Sequence, residues 1–405
     1  MVSIEKFPVT SPTACLLKWG WSTILLYSGQ SNSCHRTTLS QLTSDSIHTF
    51  HNTPEKIEQR RIMRDGGWPA RGNGCECCAD IEESGGMSDR TTNLALLVSD
   101  PQQQKLVPLE LLQDPDALEV TPTMLEVYFT NRCNMSCIYC GPDYSTRWVA
   151  ENARFGSLDH HTRGINAERV NALNADYPKK LENFWRWLDD NYKNLRMFNV
   201  LGGEPFYQKE TEQTIRFWAD HPNPDLHLKI FSNLKVGHKK FVQLVNSLKA
   251  LHDSNSCASV GICASLDGWG SEQMYIRTGL NLANWQKNFE YLIYAHPWAD
   301  VSINSTINAL SVRTMPALLR KMRDWKVERA ELTDHLHNVP QISWVFNMLL
   351  GPDFMHAGIF EKGFLQTISN RPSNYCLGIA NGNAPTEPTC AASRSRSIAR
   401  LTIRR

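Results

Sequence analysis

From about residue 124 the chain alternates short apolar runs with polar stretches of helical periodicity. The apolar runs lie at 124–130, 197–201, 226–231, 260–266, 301–307 and 342–349. Runs of this length, bounded by polar residues, are typical of strands. The pattern therefore predicts six strands, and the stretches between them are long enough for helices.

The stretches between the runs show the spacing of helices with one buried face. One such face is formed at i, i+3, i+4 and i+7 by Leu181, Phe184, Trp185 and Leu188. Similar stripes begin at Phe241, Leu282 and Met315, the last after a Thr314 that suits a helix start. Strands that alternate with helices favour a parallel sheet with right-handed crossovers. We therefore expect an α/β fold, a partial (β/α)6 TIM-like barrel over 121–360, with its chemistry at the strand ends.

The two ends of the chain have a different composition. Residues 1–90 are rich in Cys, Gly, Ser and Thr and carry little regular periodicity, as expected of a small metal-stapled module. Residues 91–120 contain Pro and Gln and suit a connector. Residues 361–405 lose the pattern in favour of Ser, Thr, Pro, Asn and Arg, which predicts a disordered tail.

Composition limits the possible partners and compartment. The 405 residues are 41% hydrophobic with a formal net charge of +1, so no overall field favours nucleic acid or an acidic membrane. No apolar stretch is long enough to span a bilayer, and we expect a cytoplasmic protein. The 12 cysteines are clustered rather than spread as a disulfide framework. In a reducing compartment such clusters more often bind metal or take part in chemistry.

Three cysteines follow the run at 124–130, in the order Cys133, Cys137 and Cys140. One loop with this spacing can wrap three corners of an iron–sulfur cubane, whose usual protein ligands are thiolates. Three ligands leave one iron open, as a reactive metal site requires. The alternative is a structural zinc site, which lacks a nearby fourth ligand in the usual spacing.

This loop, with Tyr139 before its last cysteine, resembles the signature of the radical S-adenosylmethionine (SAM) superfamily. The resemblance covers roughly residues 124–350. It implies a [4Fe-4S] cluster whose open iron is chelated by the amino and carboxylate groups of SAM. It also implies reductive cleavage of SAM to a 5′-deoxyadenosyl radical that abstracts hydrogen from a substrate.

Later strand ends carry further residues that fit this family. Gly202, Gly203 and Glu204 resemble its Gly-Gly-Glu motif, which implies a site for the SAM amino group. Ser232 and Ser265 end the third and fourth predicted strands, where relatives place small polar residues near SAM. Arg277 stands where several relatives pair an arginine with the SAM carboxylate, a task suited to guanidinium. Each of these polar residues could instead cap a turn.

The amino-terminal stretch has a second cysteine pattern, formed by Cys15, Gly29, Cys34, Cys75 and Cys78. The pattern resembles the auxiliary-cluster module called the twitch domain, a shortened SPASM domain. The resemblance implies a second [4Fe-4S] cluster, fully ligated by four thiolates and suited to electron transfer. The module usually follows the radical domain and here precedes it. Cys77 is an alternative ligand, and a zinc ribbon is the alternative site.

The family resemblance implies an oxidoreductase or peptide-modifying enzyme. The leading hypothesis is action on a peptide or protein side chain, with an electron donor such as flavodoxin or ferredoxin. One alternative is oxidation of a small molecule, and another is a catalytically silent iron–sulfur redox scaffold. Neutral charge and the lack of a basic surface run weigh against a nucleic-acid partner.

Overall fold

The computed structural model describes residues 11–37, 39–156, 176–337, 339–349 and 351–360. The strands of these residues are β1 (Trp21–Leu25), β2 (Gln30–Asn32), β3 (Ser40–Gln41), β4 (Met124–Tyr128), β5 (Ser136–Cys137), β6 (Met197–Leu201), β7 (Asn223–Ser232), β8 (Cys257–Ser265), β9 (Arg277–Thr278), β10 (Asp300–Ile307) and β11 (Ser343–Met348). The helices are α1 (Leu16–Gly20), α2 (Pro54–Arg64), α3 (Glu76–Glu83), α4 (Asp89–Ser99), α5 (Pro101–Gln104), α6 (Leu109–Gln113), α7 (Thr146–Phe155), α8 (Tyr177–Asn191), α9 (Lys209–Asp220), α10 (His238–Asp253), α11 (Ser271–Ile276), α12 (Leu282–Ala295) and α13 (Met315–Leu332). The tail predicted at 361–405 lies outside the described residues.

The protein is mixed α/β with a large, mostly parallel sheet. All six predicted strands are confirmed, as β4, β6, β7, β8, β10 and β11. β4 lies parallel to β6, and β10 lies parallel to both β8 and β11. Parallel neighbours need a long crossover connection, and the predicted helices occupy those connections. Closure of the sheet into a barrel stays a prediction.

The four predicted helical stripes lie on helices α8, α10, α12 and α13. In α10 the whole stripe is buried, because its apolar residues recur on one face of the helix. Helix α13 begins as predicted, with Thr314 at its N-cap and Pro316 in the first turn. Proline suits that turn because the backbone N–H that it lacks has no partner within the helix.

The amino-terminal stretch contains more regular structure than its pattern predicts. Strand β1 pairs in parallel with β4, and Ile24 lies opposite Val127. β2 and β3 extend β1 by antiparallel pairing. Residues around β1 are buried on both faces, so they show no polar alternation from which a strand could be recognised.

The described residues group into two compact units. The first unit falls within Met1–Asn131, Ile165–Lys229 and Asp253–Ser259, and the second within Arg132–Gly164, Ile230–His252 and Val260–Arg405. The divisions predicted at 90, 120 and 360 stay predictions. In the part of the chain that the structure covers, no helix is long and apolar enough to cross a membrane.

One apolar core of the first unit includes two of the predicted cluster cysteines. Cys15 and Cys34 pack in the same buried cluster as Trp19, Met63 and Leu97. The indole of Trp19 donates a hydrogen bond of 2.8 Å to the carbonyl of Ala117. This core joins α1, α2 and α4. Apolar packing alone therefore positions Cys15 and Cys34.

Candidate functional site

In the second unit the three-cysteine loop is held by a short antiparallel pairing. β5 pairs with β9, so that Cys137 lies opposite Arg277 in the ladder. The pairing continues where Ile138 N donates to the carbonyl of Ile276 at 2.9 Å. The middle of the loop is therefore attached to a segment that lies some 140 residues later in the chain.

The start of helix α7 holds the same loop from its other side. The Thr146 hydroxyl accepts from Cys133 N at 3.3 Å and donates to its carbonyl at 3.2 Å. The Trp148 indole donates to the carbonyl of Cys137 at 2.9 Å, and Cys140 N donates to that carbonyl at 2.9 Å. Protein groups thus satisfy these backbone positions, which are costly to bury without partners.

The segment after β7 fixes the first cysteine. The Asn134 amide donates to the carbonyl of Lys235 at 2.7 Å, and Lys235 Nζ donates to the carbonyl of Asn134 at 2.7 Å. The Asn233 amide lies 4.0 Å from the sulfur of Cys133. Ser232, a predicted SAM residue at this strand end, is buried, and its hydroxyl accepts from Leu234 N at 2.9 Å.

The three thiols influence one another electrostatically. Burial, the largest cause, raises the pKa of Cys137 to about 12, while Arg277 opposes this shift. Burial and the two neighbouring cysteines raise the pKa of Cys140 still further. In the described ranges no three His, Cys, Asp or Glu side chains are arranged as a metal site. The three thiols nevertheless lie in one loop near the charges of Lys235 and Arg277, and thiolates are the usual protein ligands of iron–sulfur clusters.

A buried ion pair anchors the loop to the ends of β8 and β10. Arg277 Nε and Nη2 each donate to the Asp267 carboxylate at 2.9 Å. Tyr139 donates to the same carboxylate at 2.7 Å, and Thr306 N does so at 2.8 Å. Asp267 is fully buried, so this fork forms away from water, where removing either partner is costly.

The predicted site residues of this unit differ in how many of their contacts the structure shows. Arg277 has a structural task on Asp267, and its assignment to the SAM carboxylate stays a prediction. Ser265 is the last residue of β8 and lies opposite Asn304 of β10. Sequence reasoning gave no role to the carboxylate of Asp267. Its only signal was the Ser-Leu-Asp-Gly turn at the end of β8.

In the first unit, Gly202 and Gly203 form a turn that needs glycine. Both have positive φ, +83° and +43°, and a Cβ on Gly202 would lie 2.7 Å from Cδ1 of Tyr128. Gln208 donates to the carbonyl of Gly202 at 3.0 Å. Glu204 is buried, and its carboxylate accepts from Phe206 N at 3.1 Å. The hydrogen bond from Phe206 N holds the Glu204 carboxylate in one orientation. The role of Glu204 toward a SAM ammonium stays a prediction.

The four predicted amino-terminal ligands line one pocket of the first unit, namely Cys15, Cys34, Cys75 and Cys78. Burial raises the pKa of Cys15 to about 12 and that of Cys34 to about 11. The side chain of Lys18 also lines the pocket, and its charge lowers the pKa of Cys75 against the effect of burial. Cys77 is not among the lining residues. The four cysteines and Lys18 thus line the same pocket, and the role of the cysteines as metal ligands stays a prediction.

A close backbone approach shapes this pocket. Gly74 has φ +87°, and a Cβ there would lie 1.9 Å from the carbonyl oxygen of Arg36. Only glycine allows the turn before Cys75 to pack against the turn after Cys34. The two halves of the cysteine pattern, about 40 residues apart, therefore meet at this contact.

Comparison with known proteins gives little further information. No protein-family model matches the chain, and no curated protein matches it in sequence. The crystal structure of Streptococcus suis SuiB aligns over 84% of this chain and 72% of that chain, with 12% identity and a TM-score of 0.34. The structure of SuiB bound to S-adenosylmethionine covers 81% and 72%, with 11% identity and the same TM-score of 0.34. A likeness this weak carries no argument about fold or activity.

The contact of Gly202 with Tyr128 predicts a specific loss of stability. Gly66 is a matched control, because its φ is +85° and nothing lies within 4 Å of a Cβ there. Gly66→Ala should cost only the left-handed backbone penalty of about 1–2 kcal/mol. Gly202→Ala should cost about 1–3 kcal/mol more through the clash with Tyr128. Urea unfolding measures both, and equal losses would contradict the close approach.

The buried ion pair predicts a second contrast in stability. Asp267→Asn leaves the Arg277 guanidinium buried without a counter-charge, which should cost about 3–5 kcal/mol. Asp324→Asn removes the acid of the exposed pair with Arg323 and should cost at most about 1 kcal/mol. Chemical unfolding of both variants gives the comparison. Similar losses would mean that the Asp267 pair does not anchor the loop.

Proposed function

We propose that the protein is a radical SAM enzyme. The observation that carries the proposal is the loop of Cys133, Cys137 and Cys140, held at its middle by the β5–β9 pairing. When bound there, a [4Fe-4S] cluster would supply the electron that cleaves SAM to a 5′-deoxyadenosyl radical, which abstracts hydrogen from a substrate. The β5–β9 pairing fixes the backbone of the loop at Cys137, which supports a role for this loop in holding the cluster.

The roles of the surrounding residues follow from their chemistry. Three thiolates leave one iron open for the amino and carboxylate groups of SAM. Glu204 would accept from the SAM ammonium, with its carboxylate held by the turn of Gly202 and Gly203. Ser232, Ser265 and Arg277 would contribute polar contacts to SAM. Lys235 and Arg277 place positive charge beside the thiols, which favours their thiolate form.

The proposal includes an auxiliary centre in the first unit, in a twitch-like arrangement. Its support is the convergence of Cys15, Cys34, Cys75 and Cys78 on one pocket. With all four thiolates engaged, such a centre would transfer electrons and leave no position for SAM. Zinc in the same four-sulfur site is the alternative, because tetrahedral thiolate sites suit both.

The proposed substrate is a peptide or protein side chain, on the strength of the resemblance to twitch and SPASM proteins. An electron donor such as flavodoxin or ferredoxin would reduce the cluster. Oxidation of a small molecule is the enzymatic alternative. A catalytically silent iron–sulfur scaffold would not need Glu204 to bind SAM. Formation of 5′-deoxyadenosine in the presence of dithionite distinguishes an enzyme from such a scaffold.

Iron content tests the number of clusters. Anaerobically reconstituted protein should hold about eight irons, two cubanes by ligand count. Replacing Cys133, Cys137 and Cys140 together by Ala should leave about four. Cys257→Ala is the control, since that thiol is buried in β8 and belongs to neither proposed cluster. One zinc and one cubane in the wild type would exclude the auxiliary cluster and leave the first cluster standing.

SAM affinity tests the role of Glu204. Glu204→Gln keeps the oxygen that accepts from Phe206 N but removes the charge, so SAM should bind about tenfold more weakly or worse. Iron content should match the wild type. Glu210→Gln is the control, another buried glutamate, which accepts from the Tyr177 hydroxyl at 3.1 Å. Calorimetry gives the affinity for SAM. An unchanged affinity in Glu204→Gln would mean that Gly202, Gly203 and Glu204 form a turn without a role in SAM binding.

A further inference from the structure

Three cations of the first unit are buried without a carboxylate partner. Lys18, Lys56 and Arg60 are 2%, 3% and 0% exposed. Among the residues that the structure describes, their hydrogen bonds go to neutral groups alone: Gln59 for Lys18, Ser31 and Phe50 for Lys56, and Asn52, His51 and Leu118 for Arg60. Buried charges are normally paired, because desolvation without a counter-ion is costly. Among the described residues, Glu55 and Glu119 act on Lys56 and Arg60 only through charge at a distance, so an anion bound beside these cations would compensate their burial.

Lys18 would gain its counter-charge from the proposed auxiliary centre. Four thiolates with either an iron–sulfur cluster or zinc carry a net negative charge, and Lys18 lines the same pocket as these cysteines. Lys56 does not line that pocket and needs another anion. Burial, and then the charges of Arg60 and Lys18, lower the pKa of Lys56 well below its usual value. An anion beside its ammonium group would offset this electrostatic cost.

Lys56 lines a separate polar cavity of about 310 Å³. The cavity lies next to the four-cysteine pocket, because Thr37 lines both. Gln59, another lining residue, accepts a hydrogen bond from Lys18. Side-chain amides and hydroxyls form most of the remaining wall, including Ser40 and Gln41.

Two donors in this cavity have capacity for a ligand. Ser33 is 1% exposed, lines the cavity, and its hydroxyl has no hydrogen-bond partner among the described residues. Lys56 has three N–H donors and two acceptors, Ser31 and Phe50, which leaves one donor. Glu55 lines the same cavity but is exposed and forms no ion pair with Lys56 within the described chain. A cation and a hydroxyl donor together suit a carboxylate better than a neutral carbonyl.

We propose that this cavity binds a carboxylate of the substrate, held by the ammonium of Lys56 and the hydroxyl of Ser33. The amides of Gln41 and Gln59 supply donors and acceptors for the polar groups next to that carboxylate. The substrate is then an acidic side chain or a chain end, positioned beside the auxiliary centre. That the ligand is a substrate rests on the proposed function, whereas the binding site itself does not.

Binding of paired acid and amide probes to the reconstituted full-length protein tests the site by calorimetry. N-acetylglutamate N-methylamide carries only a side-chain carboxylate, and N-acetylglutamine N-methylamide is its neutral match. N-acetyl-Ala-Ala carries only a terminal carboxylate, and its C-terminal amide is the neutral match. At least one acid should bind about tenfold or more tightly than its amide, since charged hydrogen bonds are about twice as strong. The acid that binds more tightly identifies the source of the carboxylate.

Variants locate the binding in this cavity. Ser33→Ala should weaken acid binding about three- to tenfold, as expected for one hydrogen bond. It should leave folding intact, because no described group pairs with that hydroxyl. Lys56→Gln should remove the preference for acid over amide. Ser99→Ala is the control, an exposed serine that bonds only the carbonyl of Leu96.

Equal affinity for acid and amide in the wild type would overturn the proposal, and so would acid binding that Ser33→Ala leaves unchanged. Formation of 5′-deoxyadenosine is measured on the same preparation. A protein that cleaves SAM but does not distinguish acid from amide refutes the cavity alone. A protein that prefers the acid but cleaves no SAM supports the cavity and refutes the radical SAM proposal.

Discussion

The geometry of the three-cysteine loop depends on one buried carboxylate. Asp267 accepts two hydrogen bonds from Arg277, one from Tyr139 and one from Thr306 N. These bonds join the end of β8, the end of β10, the short strand β9 and the loop itself. A buried ion pair repays its desolvation only when further hydrogen bonds satisfy the remaining lone pairs, and this carboxylate has them. The loop is thus held by a buried network in which the loss of one partner would leave an uncompensated charge and lower the stability of the fold.

The same network places the positive charge of Arg277 next to Cys137. Arg277 lies opposite Cys137 in the β5–β9 ladder, and its charge lowers the pKa of that thiol against the effect of burial. Metal binding requires deprotonated sulfur, so a neighbouring guanidinium favours the ligand form. Arg277 therefore contributes both to the orientation of the loop and to its electrostatics, which makes the two effects difficult to separate by removing this residue.

Charge balance links the two predicted features of the first unit. Lys18, Lys56 and Arg60 hydrogen-bond neutral partners, and two kinds of anion can compensate these cations. The proposed thiolate-bound centre would lie beside Lys18, and a carboxylate would lie beside Lys56. Because Thr37 lines both spaces, a ligand bound at Lys56 would lie close to the four-cysteine pocket. A neutral occupant of either space would leave the buried charge uncompensated.

The sequence by itself determined the features that depend on local spacing. Six strands, four helical stripes and the start of α13 at Thr314 follow from periodicity and from residues that are neighbours along the chain. The spacing of the loop cysteines and the glycine turn before Glu204 are local in the same sense. Strand β1 escaped prediction because burial on both faces removes the polar alternation.

Only the tertiary structure decided which distant residues meet. It paired Arg277 with Asp267, although the sequence suggested a SAM carboxylate for that guanidinium. It brought Cys15 and Cys34 to one pocket with Cys75 and Cys78, and it buried Lys56 beside Ser33. Hydrogen bonds and charge pairs across long sequence separations leave no periodic trace, since either partner alone is compatible with a solvated surface. Their partners, and hence their roles, arise only when the chain has folded.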